Sequence, residues 1–147
     1  MTTHAESRIL PYTADLMYAV VADVEKYPEF LPWCVALRIL SKERVKDRDV
    51  LRAEMLVGFG ALRERYTSRV VLDATARTVD VTQTDGPFRQ LDSHWRFTPE
   101  GEGCRVDFTI AFQFKNRLLD TVAGKTFEHV LVKMTDAFEA RARALSH

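Results

Sequence analysis

The imidazoles and thiols of this chain, the usual carriers of acid, base and nucleophilic chemistry, are few and scattered: His4, His94, His129, His147, Cys34 and Cys104. His94 adjoins Trp95, and period-two alternation along a strand sends the two side chains to opposite faces. His129 stands between Glu128 and Val130 beside an apolar stripe, where solvent reaches it, and the other two histidines are terminal. No HExxH run and no Ser-His-Asp order occurs, and Gly58-Phe59-Gly60 lacks the third glycine and following helix of a phosphate cradle. The cysteines form no CxxC pair or metal spacing, which reads as reduced thiols filling core positions in a cytoplasmic protein. Neutral donors remain. Tyr66, Ser68, Gln83 and Ser93 can each hold an oxygen atom of a bound molecule by a hydrogen bond. Tyr66 is the first choice, because it shares a strand face with Glu64, Ser68, Val70 and Leu72.

The elements that must position these groups are clearest between Asp85 and Phe114. Leu91-Ser93-Trp95-Phe97 and Cys104-Val106-Phe108-Ile110-Phe112-Phe114 alternate with polar residues and flank a Pro99-Glu100-Gly101-Glu102-Gly103 turn. One face of this hairpin is therefore aromatic or branched apolar throughout, apart from Ser93 and Cys104, and something large must cover it. Upstream, Ala5 to Leu10 reads as a strand stopped by Pro11. A helix then starts at a Thr13 cap and carries Leu16, Met17, Val20, Val21 and Val24 at helical spacing. Pro28 and Pro32 confine Phe30 and Leu31 to a short second helical turn before Trp33. Strands follow at 35–43, 49–59, 63–73, 77–84, 88–98 and 104–115, separated by short turns that make neighbours antiparallel. After Asn116 the period becomes helical, with Leu119, Val122, Thr126, Phe127, Val130, Met134, Phe138 and Leu145 on one stripe. A helix of about 30 residues would be about 45 Å long and would cross the sheet.

This order describes an α+β fold, a helix-grip arrangement in which a seven-stranded curved antiparallel sheet wraps around the long C-terminal helix, with two short helices after strand one. The 147 residues suit one domain, 1–147. Twenty-one basic and 21 acidic residues leave no global positive field, which argues against nucleic acid, DNA included, as a main partner. No apolar run approaches the roughly 18 residues of a membrane-spanning helix.

Arg8-Ile9-Leu10-Pro11-Tyr12, the segment from Asp23 to Cys34 (DVEKYPEFLPWC), Asp85-Gly86-Pro87-Phe88, Trp95-Arg96-Phe97-Thr98-Pro99, Cys104-Arg105-Val106-Asp107-Phe108 and Phe112-Gln113-Phe114 together resemble the coenzyme Q-binding, START-like family of the polyketide cyclase/dehydrase superfamily. The resemblance covers almost the whole chain, and residues 57–64 look like its ubiquinone-binding branch. It implies a non-catalytic protein with a hydrophobic cavity for a polyisoprenoid quinone, ubiquinone, and no catalytic cofactor. Transient contact with the inner membrane surface would serve to collect the ligand. The RatA branch implies instead binding to the large ribosomal subunit, with arginines 63, 65, 69, 77, 89 and 96 intermixed with acids. Related folds also include polyketide cyclases and dehydratases, whose chemistry needs a cavity acid or base.

Under that reading Phe30, Leu31 and Trp33 form the lip of the cavity, and Trp95, Phe97, Phe108, Ile110 and Phe112 form its sheet wall. Leu119, Val122, Phe127 and Leu131 form the helical wall; Gly124 either loosens it or is simply a weak point of the helix, and Tyr66 either addresses the headgroup or packs at the sheet edge. Each aromatic wall residue is also a plain core candidate.

Overall fold

The computed structural model describes residues 1–59 and 62–146, apart from the side chains at 59, 62, 122 and 123. Strand β1 (Thr2–Leu10) leads into helix α1 (Ala14–Ala22) and a 3-10 turn (Val24–Glu29). There follow β2 (Cys34–Val45), β3 (Arg48–Phe59), β4 (Leu62–Asp73), β5 (Thr78–Asp85), β6 (Phe88–Glu100), β7 (Gly103–Phe114) and helix α2 (Arg117–Leu145). The strands form one antiparallel sheet in the order β1-β7-β6-β5-β4-β3-β2, open between its edges β1 and β2. Each strand from β2 to β7 is a hairpin neighbour of the next, and β1 adds beside β7 through pairs such as Leu10 with Cys104.

The ends of the helices follow from local chemistry. Thr13 Oγ1 accepts from the Leu16 amide at 3.1 Å, and Asn116 Oδ1 accepts from the Leu118 amide at 2.7 Å, so each helix starts on a side-chain cap. The β6–β7 hairpin behaves as its alternation requires. All ten residues on its apolar face are buried, whereas His94, Arg96, Arg105 and Thr109 are exposed on the other.

Helix α2 covers that face along a narrower stripe than expected. Phe127, Leu131, Thr135, Phe138 and Ala142 are buried, at intervals of three or four residues. Thr126 points to solvent, and Leu145, five turns beyond Phe127 on the same azimuth, is 52% exposed because it lies past the last buried position at Ala142. In the first turns Leu118 is 69% exposed, whereas Leu119 is half-buried against the core. On its other flank α2 meets β1 through polar groups. Thr135 Oγ1 donates to Glu6 Oε2 at 3.1 Å, and the Arg8 guanidinium bonds Asp136 and Glu139 as well as Glu6.

Gly124 does not loosen the packing of α2 against the sheet. Among the described residues a Cβ added there would meet only Asp120 Oδ1, at 3.8 Å, an ordinary contact on the helix's own surface. Gly124→Ala should therefore raise unfolding stability by up to about 1 kcal/mol through helix propensity alone. Urea denaturation checks this, and a destabilised variant would place the glycine against the sheet after all.

Candidate functional site

The curvature of the sheet leaves an apolar hollow of about 100 Å³ between its concave face and α2. Strands β3 to β7 supply its floor through Ala53, Met55, Val70, Val81, Leu91, Trp95, Phe108 and Ile110. Its roof is Phe127, Val130, Leu131, Met134 and Phe138 of α2, and its side wall is Val24, Tyr27, Leu31 and Trp33. Of these, Trp33, Met55, Val130 and Met134 are only half-buried, as is Leu37 on β2, so the hollow approaches solvent between α2 and strands β2–β3. That is the side on which α2 is least supported, since it packs chiefly on α1 and β7.

Eight residues proposed from the sequence line this hollow: Leu31, Trp33, Tyr66, Trp95, Phe108, Ile110, Phe127 and Leu131. Four others lie elsewhere. Phe97 is buried behind the floor, edge-on to Tyr18 of α1 and stacked on Trp95. Phe112 is locked among Phe88, Phe114 and Phe127. Phe30 stands outside the roof, edge-on to Tyr27 and Phe138, with the Arg141 guanidinium 5.1 Å above its ring. Leu119 packs against the core margin near the start of α2. The side chain of Val122 lies outside the described residues.

Residues the sequence did not single out complete the lining, notably Val24, Tyr27, Met55, Met134 and Phe138. Helical spacing already placed Val24, Met134 and Phe138 on inward stripes, and Met55 shares an inward face with Ala53 and Val57. What distinguishes cavity from core there is the position of α2 over the sheet.

The polar groups on the lining are neutral. The Tyr27 hydroxyl is spent on the Val21 carbonyl oxygen. Tyr66 donates only to the Met55 thioether, at 3.5 Å, a weak acceptor that a ligand oxygen could replace. Burial drives both phenols far above their ordinary range, so each keeps its proton and remains a donor. Ser68 and Ser93 also line the hollow, on β4 and β6. Gln83 does not serve it. Its amide nitrogen donates to the Phe88 carbonyl at 2.7 Å and its oxygen accepts from the Phe88 amide at 3.1 Å, which closes the β5–β6 turn.

Among the described lining residues there is no carboxylate, imidazole or cation. His94 lies on the opposite face with Nδ1 2.6 Å from Asp80 Oδ1, and His129 is exposed on α2. Burial pushes the Cys34 thiol up to about 11, and Cys104 upward too, so both stay protonated at neutral pH. The arrangement can enclose an apolar molecule and offer it hydrogen bonds.

A curved sheet gripping a long helix over such a hollow defines a START-like, helix-grip protein. Residues 10–139 match the family described as polyketide cyclase/dehydrase and lipid transport, and the chain belongs to that family. The ribosome association toxin RatA of Pseudomonas aeruginosa is 36% identical over 147 residues, covering 99% of each chain. The mitochondrial coenzyme Q-binding protein homolog B of Xenopus laevis is 35% identical over 143 residues, 95% of this chain and 57% of that one. A solution structure of an 18 kDa protein from Caulobacter crescentus superposes with a TM-score of 0.81 at 40% identity, covering 99% of this chain and 98% of that one. The first two of these are named for ribosome association and for coenzyme Q binding. Among the described residues, no helix is long and apolar enough to cross a membrane.

Proposed function

We propose that this protein is a single-domain, non-catalytic carrier of a polyisoprenoid quinone such as ubiquinone, acting in the cytoplasm and visiting the inner membrane surface to collect its ligand. The observation that carries this reading is the lining itself: a hydrophobic hollow with neutral polar groups, among them the hydroxyls of Tyr66, Ser68 and Ser93 as donors for quinone oxygens. Each carbon of an isoprene tail withdrawn from water contributes about 0.8 kcal/mol, so a few units suffice for tight retention. At about 100 Å³ the hollow is below the few hundred Å³ usual for ligand pockets, so binding requires it to widen. The flexible Met55 and Met134 are the parts able to yield. The coenzyme Q-binding relative supports the choice of ligand.

Native mass spectrometry of the protein purified from a quinone-producing host should show a complex with a prenylquinone. Ala53→Leu, which fills the hollow, should empty it, and Tyr66→Phe should lower affinity about twofold to tenfold, the worth of one hydrogen bond. Wild-type protein that stays ligand-free with quinone in excess would sink the proposal.

A second reading, association with the large ribosomal subunit, draws support from the RatA relatives and from a concentration of arginines on the outer face of the sheet.

A further inference from the structure

The outer face of the sheet divides into two halves of different charge logic. On the β5–β7 half, ionic groups face their opposites across the strand gap: Arg96 is paired with Asp107, and His94 with Asp80. The β2–β4 half keeps such pairs at Arg38–Glu54 and Arg48–Asp73 but departs from them at its centre. Arg52 lies directly opposite Arg69, Arg63 and Arg65 share the same face of β4, and Arg38 continues the array on β2. All five are exposed. Among the described residues the only carboxylate any of them reaches is Glu54, which accepts from Arg38 at 3.2 Å and from Arg65 at 3.3 Å. Five arginines thus share a single ion-paired carboxylate on a chain whose formal net charge is zero.

Stability does not account for this pattern. Like charges directly opposite each other weaken a strand pair, and a face shaped only for solubility would alternate signs as the β5–β7 half does. All five cations are arginines, whose rigid forks bind phosphate oxygens in bidentate fashion. From β2 to β4 and from Arg63 to Arg69, strand spacing and rise give an array about 10 Å wide and 20 Å long. Of its apolar members, Val50, Leu56 and Val71 are half-buried between the arginines, and the exposed Val45 lies beyond them at the end of the edge strand β2, opposite Arg48. An exposed cationic face suits the shape-based, backbone-directed recognition of an RNA helix across its shallow groove.

We infer that the outer face of β2–β4 is a docking surface for the phosphate backbone of structured RNA, centred on the Arg52–Arg69 pair. This rests on the second functional reading and names the surface that would serve it. It is independent of the cavity, which lies on the opposite face of the same strands. The even balance of charge in the composition hides the surface, because acids such as Glu64 are carried to the other face by alternation.

Fluorescence anisotropy with a labelled RNA duplex, over a salt series, tests the inference. Arg52→Gln/Arg69→Gln should weaken duplex binding about tenfold at low salt and reduce the slope of log K against log salt by roughly 1.4 to 1.8, the share of two phosphate contacts. Its melting temperature should hold or rise, since a like-charge pair is removed. Arg96→Gln/Arg105→Gln on the other half should bind as wild type does. Wild-type protein that ignores the duplex, a double variant that binds it equally well, or binding confined to phosphatidylglycerol vesicles would overturn the inference. Co-sedimentation with large ribosomal subunits separates it from the reading beneath it. If wild type and double variant pellet equally, the surface is wrong and the ribosome reading stands. If the duplex is bound through Arg52 and Arg69 but subunits are not, the surface stands and the ribosome reading falls.

Discussion

Gly86→Ala should lower unfolding stability by about 3 kcal/mol and disturb Tyr66 at the same time. The glycine sits in the β5–β6 turn with φ +153°, a conformation L side chains rarely adopt. An added Cβ would stand 2.4 Å from Tyr66 Cβ, 2.6 Å from Gln83 Oε1 and 3.1 Å from Tyr66 Cα. The Tyr66 contacts are to its backbone and first side-chain carbon, so a change of rotamer does not relieve them. The Gln83 contact falls on the oxygen that accepts from the Phe88 amide, so moving it opens the clasp that seats Phe88. Phe88 in turn stacks on Phe114 at 4.6 Å and meets Tyr66 edge-on at 6.0 Å. Gly101→Ala is the control. Gly101 has φ +61° but nothing lies within 4 Å of its added Cβ, so that variant should lose only about 1–2 kcal/mol from backbone strain. Urea denaturation of both variants decides: equal losses would mean that the approach to Tyr66 does not matter. The aromatic resonances of Tyr66 should shift in Gly86→Ala alone.

The motif that opens on Asp85 and Gly86 thus marks a turn whose close packing reaches the cavity, a role invisible without the pairing of β4 with β5. Other features were legible to different degrees for similar reasons. Alternation alone placed all ten inward residues of the β6–β7 hairpin, because a sheet with one covered face leaves period two unambiguous. The Thr13 and Asn116 caps followed from local chemistry. Long-range placement was harder. Glu6 and Arg8 occupy the half-buried face of β1 because Thr135, Asp136 and Glu139 arrive from α2 to meet them, and no local pattern announces that. Phe97 and Phe112 obeyed alternation and still fall outside the cavity, since α1 and the Phe88 cluster had already filled the space above them. The arginine face shows the same division. Period two sends Arg63, Arg65 and Arg69 outward and Glu64 inward, but the Arg52–Arg69 pairing is a property of register.

Phe138→Ala should be the most destabilising substitution in the roof, costing about 3–5 kcal/mol. The ring is 2% exposed and lies edge-on to Tyr27 at 5.3 Å, Phe30 at 5.5 Å and Trp95 at 5.2 Å. It is where α2, the 3-10 turn with the residue that follows it, and β6 meet, so its loss loosens three elements together. The void it leaves joins a hollow of about 100 Å³ that is already present, instead of forming a closed pocket of its own. Two responses are then open to the fold. Met134, four residues back on α2 and flexible, can swing into the space and hold the loss near 3 kcal/mol; a void that persists brings it near 5. Ligand binding separates cavity from core at this position. If the hollow is ligand space, the enlarged variant should retain its prenylquinone, and adding quinone should raise its melting temperature by more than it raises that of wild type, because ligand now fills volume the protein cannot. If the hollow is only imperfect packing, quinone should leave both melting temperatures unchanged and the variant should simply be weaker. A loss below about 1 kcal/mol in urea denaturation would contradict the placement of Phe138 as the joint of the roof.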